Sequence, residues 1–328
     1  MIKVEDFAEG ARTQTFQYDN PNSAGDGVMS WEHIETYYDQ NGVLSERATF
    51  NDNGVLRVDS FTDGVRSQIF QYDNPNEAGD GVKSWDRIEA YYDQNGNLTE
   101  NATFYDNGIF RLTTYVEGQR ASVIEEDNPN AAGDGVKSWD RIETYFDQNG
   151  VKTEKATFYD NGIFKLETYS DGQLVGVQQS DEGDVASWDT IETMITRDGG
   201  VVEQRTLTVG DDGVERFDMR VDSQRVILVE TDNSLDGSAR SWQTNERFYD
   251  ENGDLAQQHI VYDDADEFVF LHVGGTLDQK VEYDGDESEA WAIRVTDYTA
   301  EGPVVVTYDT VADAPVEIGT LFFDFVLG

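Results

Sequence analysis

Cysteine is absent from the 328 residues, which excludes disulfides, zinc–thiolate centres and cysteine nucleophiles. Proline is scarce at five and lysine at seven. No stretch approaches the roughly 18 consecutive apolar residues of a membrane helix. The opening "MIKVEDFAEG" has neither a basic n-region nor an apolar h-region, so the expectation is a soluble chain without a Sec-type leader and without membrane insertion. Positive charge is the largest deficit, at 23 Lys and Arg against 67 Asp and Glu for a formal charge of −44. That field repels phosphate backbones and anionic lipid surfaces, so nucleic acid is excluded as a partner. Self-repulsion of this size calls for screening by salt, multivalent cations or a basic partner. Composition fits a halophilic or marine setting as well as a calcium-rich extracellular one.

What is present is repetition. The six tryptophans, Trp31, Trp85, Trp139, Trp188, Trp242 and Trp291, are spaced 54, 54, 49, 54 and 49 residues apart. A fixed period in this range marks a solenoid, a propeller or an array. From Trp85 one unit reads "WDRIEAYYD", "NLTENATFYD", "IFRLTTYV" and "RASVIEED", joined by "QNG", "NG" and "EGQ". The segments are rich in β-branched and aromatic residues, and the joints carry the strongest short-range hairpin signal. Apolar residues never recur at helical spacing. The protein is therefore expected to be all-β, built from six four-stranded antiparallel meanders of about 54 residues.

In the Trp85 unit Leu98, Ala102, Phe104, Phe110 and Leu112 share one strand face. Thr99, Asn101, Thr103, Tyr105, Arg111 and Thr113 share the other. The chain reads as one repeat domain, 1–328, with units 1–30 (a half), 31–84, 85–138, 139–187, 188–241, 242–290 and 291–328. Residues 1–30 supply a third and fourth strand and 291–328 a first and second. Pairing of these halves into a composite blade favours a closed, six-bladed propeller-like ring. The alternative is an open, twisted array of hairpins with one dry face, capped by residues 315–328.

The hairpin text "YYDQNGVLSERATFNDNGVLRVDSFTDG" and "FYDNGIFRLTTYVEGQ" resembles the bacterial YD, MORN and antitoxin-type hairpin repeats. The likeness covers Trp31 to about Gly172 well and the rest loosely. It implies a non-enzymatic repeat module offering carbohydrate-binding, casing, adhesin or scaffolding surfaces. The Asp-Gly-rich acidity is similar to that of type I secreted calcium-binding proteins, although the G-G-x-G-x-D-x nonapeptide is absent.

Three links repeat D-N-P-N-x-x-G-D-G, placing Asp19, Asn22 and Asp26, then Asp73, Asn76 and Asp80, then Asp127, Asn130 and Asp134, in Gly-permitted turns. Calcium takes six to eight such oxygens, so these nine residues are candidate Ca2+ ligands. The same residues also cap turns without any metal. Trp31, Trp85 and Trp139, with Tyr37, Tyr91 and Tyr145, are candidate ligand-binding residues, since an indole or phenol ring suits a sugar face. Burial at the seam between units is the competing role. His33, His259 and His272 do not recur within the repeat, and neither G-x-S-x-G nor H-E-x-x-H occurs, so no catalytic residue is expected. A glycan-active enzyme would rest on carboxylate pairs alone. The expectation is a non-catalytic extracellular or surface-displayed module, binding a glycan or protein surface and stabilised by calcium. Export by a type I route would follow from the ending "FFDFVLG". The alternatives are a fibre or spike component of a phage-like particle, and a cytoplasmic scaffold of a halophile.

Overall fold

The computed structural model describes residues 1–19, 29–73, 83–127, 137–233 and 240–314. The chain is all-β, and no α-helix occurs among these residues. Strands β1 (Ile2–Ala8) and β2 (Ala11–Tyr18) precede β3 (Trp31–Tyr38), β4 (Leu44–Asn51), β5 (Val55–Thr62) and β6 (Val65–Asp73). Then come β7 (Trp85–Tyr92), β8 (Leu98–Tyr105), β9 (Ile109–Val116) and β10 (Gln119–Asp127), followed by β11 (Trp139–Phe146), β12 (Lys152–Tyr159), β13 (Ile163–Ser170) and β14 (Gln173–Asp181). The remainder is β15 (Trp188–Asp198), β16 (Val201–Gly210), β17 (Val214–Val221), β18 (Gln224–Asp232), β19 (Trp242–Tyr249), β20 (Leu255–Tyr262), β21 (Glu267–Val273), β22 (Thr276–Tyr283), β23 (Ile293–Thr299) and β24 (Gly302–Tyr308). The contacts divide the chain into two units, Met1–Leu174 and Val175–Gly328.

The turns explain why these strands form hairpins. Between third and fourth strands lie two-residue loops with both φ values positive, as at Asp63 (51°) and Gly64 (78°), or Glu117 (52°) and Gly118 (79°). This is the type I′ turn, whose twist matches that of the strands it joins. Between first and second strands an aspartate folds the turn by itself. Asp39 Oδ1 accepts the N–H groups of Asn41 and Val43, each at 2.8 Å, and Asp93, Asp147 and Asp250 repeat this. Those N–H groups, Val43 first, hold the Asp39 carboxyl below its ordinary value.

Pairing does not stop at the end of a unit, and here the structure differs from the closed ring. In Met1–Leu174, β2 pairs antiparallel with β3, β6 with β7, and β10 with β11. In Val175–Gly328 the same joins are β14–β15, β18–β19 and β22–β23. Propeller blades are separate sheets, whereas here the last strand of one repeat is the hydrogen-bonded neighbour of the next repeat's first strand. Among the described residues β1 pairs only with β2 and β24 only with β23, so each edge is open. The architecture is the open hairpin array.

Direct cross-strand partners share a face, so the register sorts the side chains. One row of Met1–Leu174 runs Val4, Phe16, Glu35, Ala48, Val58, Phe70, Glu89, Ala102, Leu112, Ile124, Glu143, Ala156, Leu166. Beside it on the same face Phe104 meets Phe110 with ring centroids 4.9 Å apart, and Phe158 meets Phe164 at 5.0 Å. The opposite face is polar, as the alternation predicts, yet it is not simply wet. Thr15, Asp59, Ile69, Ala90, Thr113 and Val123 are buried there. Long side chains lie over this face, as where Arg57 and Arg66 close on Asp59 at 2.8 and 2.9 Å. In Val175–Gly328 the core is the row Val269, Val281 and Val295 with Ile293 beside it.

Gly118 isolates the backbone requirement of the type I′ turn, because a Cβ placed there meets no heavy atom within 4 Å. Gly118→Ala should destabilise the fold by about 1–2 kcal/mol through the left-handed conformation alone. Urea denaturation measures it, and an unchanged midpoint would contradict the turn assignment.

Candidate functional site

Two constellations recur, one at every link and one on the first strands of the first three repeats. The first is the link. Every fourth strand ends on, or is followed at once by, an aspartate whose Oδ2 accepts the N–H of the residue two before the next tryptophan. The pairs are Asp19–Met29 (2.6 Å), Asp73–Lys83 (2.5 Å), Asp127–Lys137, Asp181–Ala186 (2.6 Å), Asp232–Arg240 (2.8 Å) and Asp284–Glu289 (2.8 Å). A hydrogen bond from an amide to a charged group contributes about 1.5–3 kcal/mol, and here it fixes where each new unit starts.

The residue before each of the first five tryptophans is a serine whose carbonyl accepts the N–H of the aspartate in the turn after the second strand. These are Ser30–Asp52, Ser84–Asp106, Ser138–Asp160, Ser187–Asp211 and Ser241–Asp263. The residue after each of these five tryptophans is a β-bulge: the register passes, for example, from Trp85 to Arg87 and from Trp139 to Arg141, leaving Asp86 and Asp140 outside the ladder. Partial burial and the charges of Asp86 and Asp73 hold the Asp106 carboxyl above its usual range, and Asp160 is raised in the same way by Asp140 and Asp127.

Of the nine expected calcium ligands, Asp19, Asp73 and Asp127 are these clamps, each buried and each at a separate link. Asn22, Asp26, Asn76, Asp80, Asn130 and Asp134 lie outside the described residues. One further acidic group sits in Val175–Gly328, where Asp266, Asp284 and Asp286 bring one carboxylate oxygen each within 4.8 Å of the others.

The second constellation lies along the first strand at alternate positions, all on the face of Phe104 and Ala102. His33, Glu35 and Tyr37 form one copy, Arg87, Glu89 and Tyr91 the next, and Arg141, Glu143 and Tyr145 the third. Each phenol donates to the glutamate Oε2, at 2.8, 2.8 and 2.6 Å. The basic side chain approaches Oε1 at 3.6 Å from His33, 2.8 Å from Arg87 and 2.6 Å from Arg141. The bond to Glu35 pushes the Tyr37 phenol up to about 12, and Tyr91 and Tyr145 are raised likewise. These phenols stay neutral hydrogen-bond donors at any physiological pH. An aromatic ring lies beside the basic group in two of the copies, with Phe104 4.0 Å from the Arg87 guanidinium and Phe50 3.9 Å from the His33 ring. Sequence reasoning singled out the tyrosines and missed their glutamates and arginines. The repeated text W-x-[HR]-I-E-x-Y carried that signal, because residues two apart on a strand share a face.

All six tryptophans are half-buried, and the first five begin a strand at the bulge. Trp31, Trp85 and Trp139 lie opposite Asn51, Tyr105 and Tyr159. In Val175–Gly328 a cleft of about 420 Å³ has an apolar wall of Met219, Val221, Ile227 and Phe248 and an acidic rim that includes Asp222 and Glu251.

His259 is largely buried between Glu246 (3.3 Å) and Glu267 (3.1 Å). Burial opposes its charge, but the two carboxylates outweigh it and the imidazole is raised above its ordinary 6.5. A raised folded value means the stabilisation is complete below 6.5 and is lost as pH rises through the higher folded value. The urea midpoint of the wild type should therefore fall as pH rises above 6.5, and His259→Gln should flatten that slope. Equal slopes would contradict the ion pairs.

No protein-family model and no curated protein sequence matches the chain. Among solved structures, one described as "Crystal Structure of TcdB2-TccC3-Cdc42" is similar at a TM-score of 0.18 and 14% identity, over 90% of this chain and 17% of that one. The chain thus spans under a fifth of the length of that neighbour.

Proposed function

We propose that this is a non-catalytic, surface-displayed or extracellular β-repeat module that binds a repetitive glycan through the first-strand triads. The observation that carries the reading is their threefold recurrence in one geometry on one face. Four strand spacings set successive copies roughly 19 Å apart. Each copy offers a phenol ring, a carboxylate and, in the second and third, a guanidinium, the phenol held to the carboxylate by a hydrogen bond and the guanidinium by an ion pair. Planar polar groups beside an aromatic ring suit a sugar's hydroxyls and its apolar face. A charge of −44 repels acidic polysaccharides, so the partner is a neutral glycan. Weak single sites in register gain avidity from the polymer.

The test is retention on immobilised neutral polysaccharides, followed by titration with oligomers of rising length. Affinity should climb at least about tenfold once an oligomer spans two triads. Tyr37→Ala, Tyr91→Ala and Tyr145→Ala combined should abolish that gain while leaving the fold intact by circular dichroism. Retention on a basic protein surface instead, or a triple variant that binds as before, would overturn the glycan reading.

A second reading, a structural component of a fibre or spike, is favoured by one observation. Val306 continues the row of Val281 and Val295 on the outer strand β24, yet it is 42 % exposed where Val295 is 6 %. Val304 and Val305 beside it are exposed as well, and so are Ile2, Val4 and Phe7 on β1. A strand from a second copy would bury these edges head to tail, a contact that propagates rather than closes. Light scattering should then show mass growing with concentration, and Val306→Lys should suppress it. A concentration-independent monomer would remove this reading.

A further inference from the structure

The cleft in Val175–Gly328 sits on a cross-strand row that is polar elsewhere in the chain. Ser60, Gln68 and Tyr91 are partners across β5, β6 and β7, and Thr114, Ser122 and Tyr145 are partners across β9, β10 and β11. The same positions of β17, β18 and β19 hold Met219, Ile227 and Phe248. Three apolar side chains thus replace hydroxyl, amide and phenol groups. The exchange does not build the core, because all three stay half-buried and the core lies in the row of Val269, Val281 and Val295. They line a cleft of about 420 Å³ instead, a volume typical of small-molecule sites. The rim is acidic: Asp222, Asp250 and Glu251 line the cleft, and none of its lining residues is Lys, Arg or His. Two of these carboxylates are held in place by backbone. Asp222 Oδ1 accepts the N–H of Val202 at 2.9 Å, and Asp250 Oδ1 accepts those of Asn252 and Asp254 at 2.9 Å. The bases on the same strands are engaged with other acids. Arg220 and Arg225 pair with Asp218 at 3.2 and 2.8 Å, and Arg205, the cross-strand partner of Met219, pairs with Glu203.

We propose that this cleft binds a small organic cation with an apolar body, an aromatic or branched-alkyl ammonium. Met219, Ile227 and Phe248 take the apolar body out of water, and the unbranched methionine adapts to its shape. The ammonium is attracted by the rim carboxylates and by the face of the Phe248 ring. A formal charge of −44 raises the concentration of any cation near the surface. A neutral apolar compound gains nothing from the rim and leaves its carboxylates to be desolvated without a counter-charge. An anion is repelled by the same groups. The site uses no triad residue and lies in Val175–Gly328, so it stands apart from the glycan reading.

The experiment is an NMR titration of the whole chain, with its four methionine methyl groups carbon-13 labelled, against benzyltrimethylammonium at about 0.15 M salt. The Met219 signal, assigned through Met219→Leu, should shift saturably with a Kd of about 1 mM or tighter, while those of Met1 and Met29 stay still. Benzyl alcohol and phenylacetate keep the ring without the positive charge, and tetramethylammonium keeps the charge without the ring; each should bind at least about tenfold more weakly. Asp222→Asn with Glu251→Gln retains the acceptor for the Val202 N–H and should weaken the cation at least about tenfold while leaving benzyl alcohol unchanged. Met219→Ser, Ile227→Gln and Phe248→Tyr together recreate the side chains of the Ser60, Gln68 and Tyr91 row, which the fold already carries. That variant should show no saturation transfer to benzyltrimethylammonium. A linear shift without saturation, equal affinity for all four compounds, or binding that survives in both variants would overturn the proposal.

Discussion

An aspartate at the end of each fourth strand, accepting an N–H two residues before the next tryptophan, sets the form of the whole chain. The hydrogen bond spans five to ten residues and closes a link rich in glycine and polar residues, whose open conformations would otherwise be numerous. Once it is made, the chain has returned beside the strand it left, and antiparallel pairing of β6 with β7 or of β10 with β11 follows. The bulge after tryptophan then restores the alternation, so that Glu89 and Glu143 fall on the same face as Phe70 and Ile124. A repeat unable to bury its own apolar row shares that row with its neighbours.

The same geometry sorts the charge. On the strand faces the acids are matched, as Asp59 is by Arg57 and Arg66, Glu282 by Lys280 and Arg294, and Glu230 by Arg216 and Arg247. At the links and turns acids lie near other acids, and there the carboxyls of Asp106, Asp160 and Asp211 are pushed up. The negative charge of the sequence is thus concentrated at the seams between repeats, while the first-strand face keeps a balanced, hydrogen-bonded set of side chains.

Much of this was legible in the sequence, because it is local. The six tryptophans mark strand starts, Asn-Gly and acidic-Gly pairs mark hairpins, and the division of Phe104, Ala102 and Leu112 from Thr103, Asn101 and Arg111 follows from alternation. The ring was the misreading, and its cause is physical. Period and half-units are identical for blades that pack face to face and for hairpins that pair edge to edge. The difference lies in hydrogen bonds across the links, which carry no local pattern. The role of Asp73 and Asp127 was half visible for the same reason: acidity and glycine announce a special loop, but the hydrogen bond by which each aspartate clamps its link spans ten residues and has no local pattern. The partners of the tyrosines needed only a period of two along the strand, and that signal was in plain view.

Hydrogen exchange at the seam is the most direct check on pairing between repeats. Amides of Ile69, Gln71, Ile88 and Ala90, which belong to β6 and β7 on either side of a link, should be protected as strongly as those within the β7–β8 hairpin. Fast exchange at those four amides beside a protected hairpin would mean that the repeats are separate sheets, and the open array would be wrong.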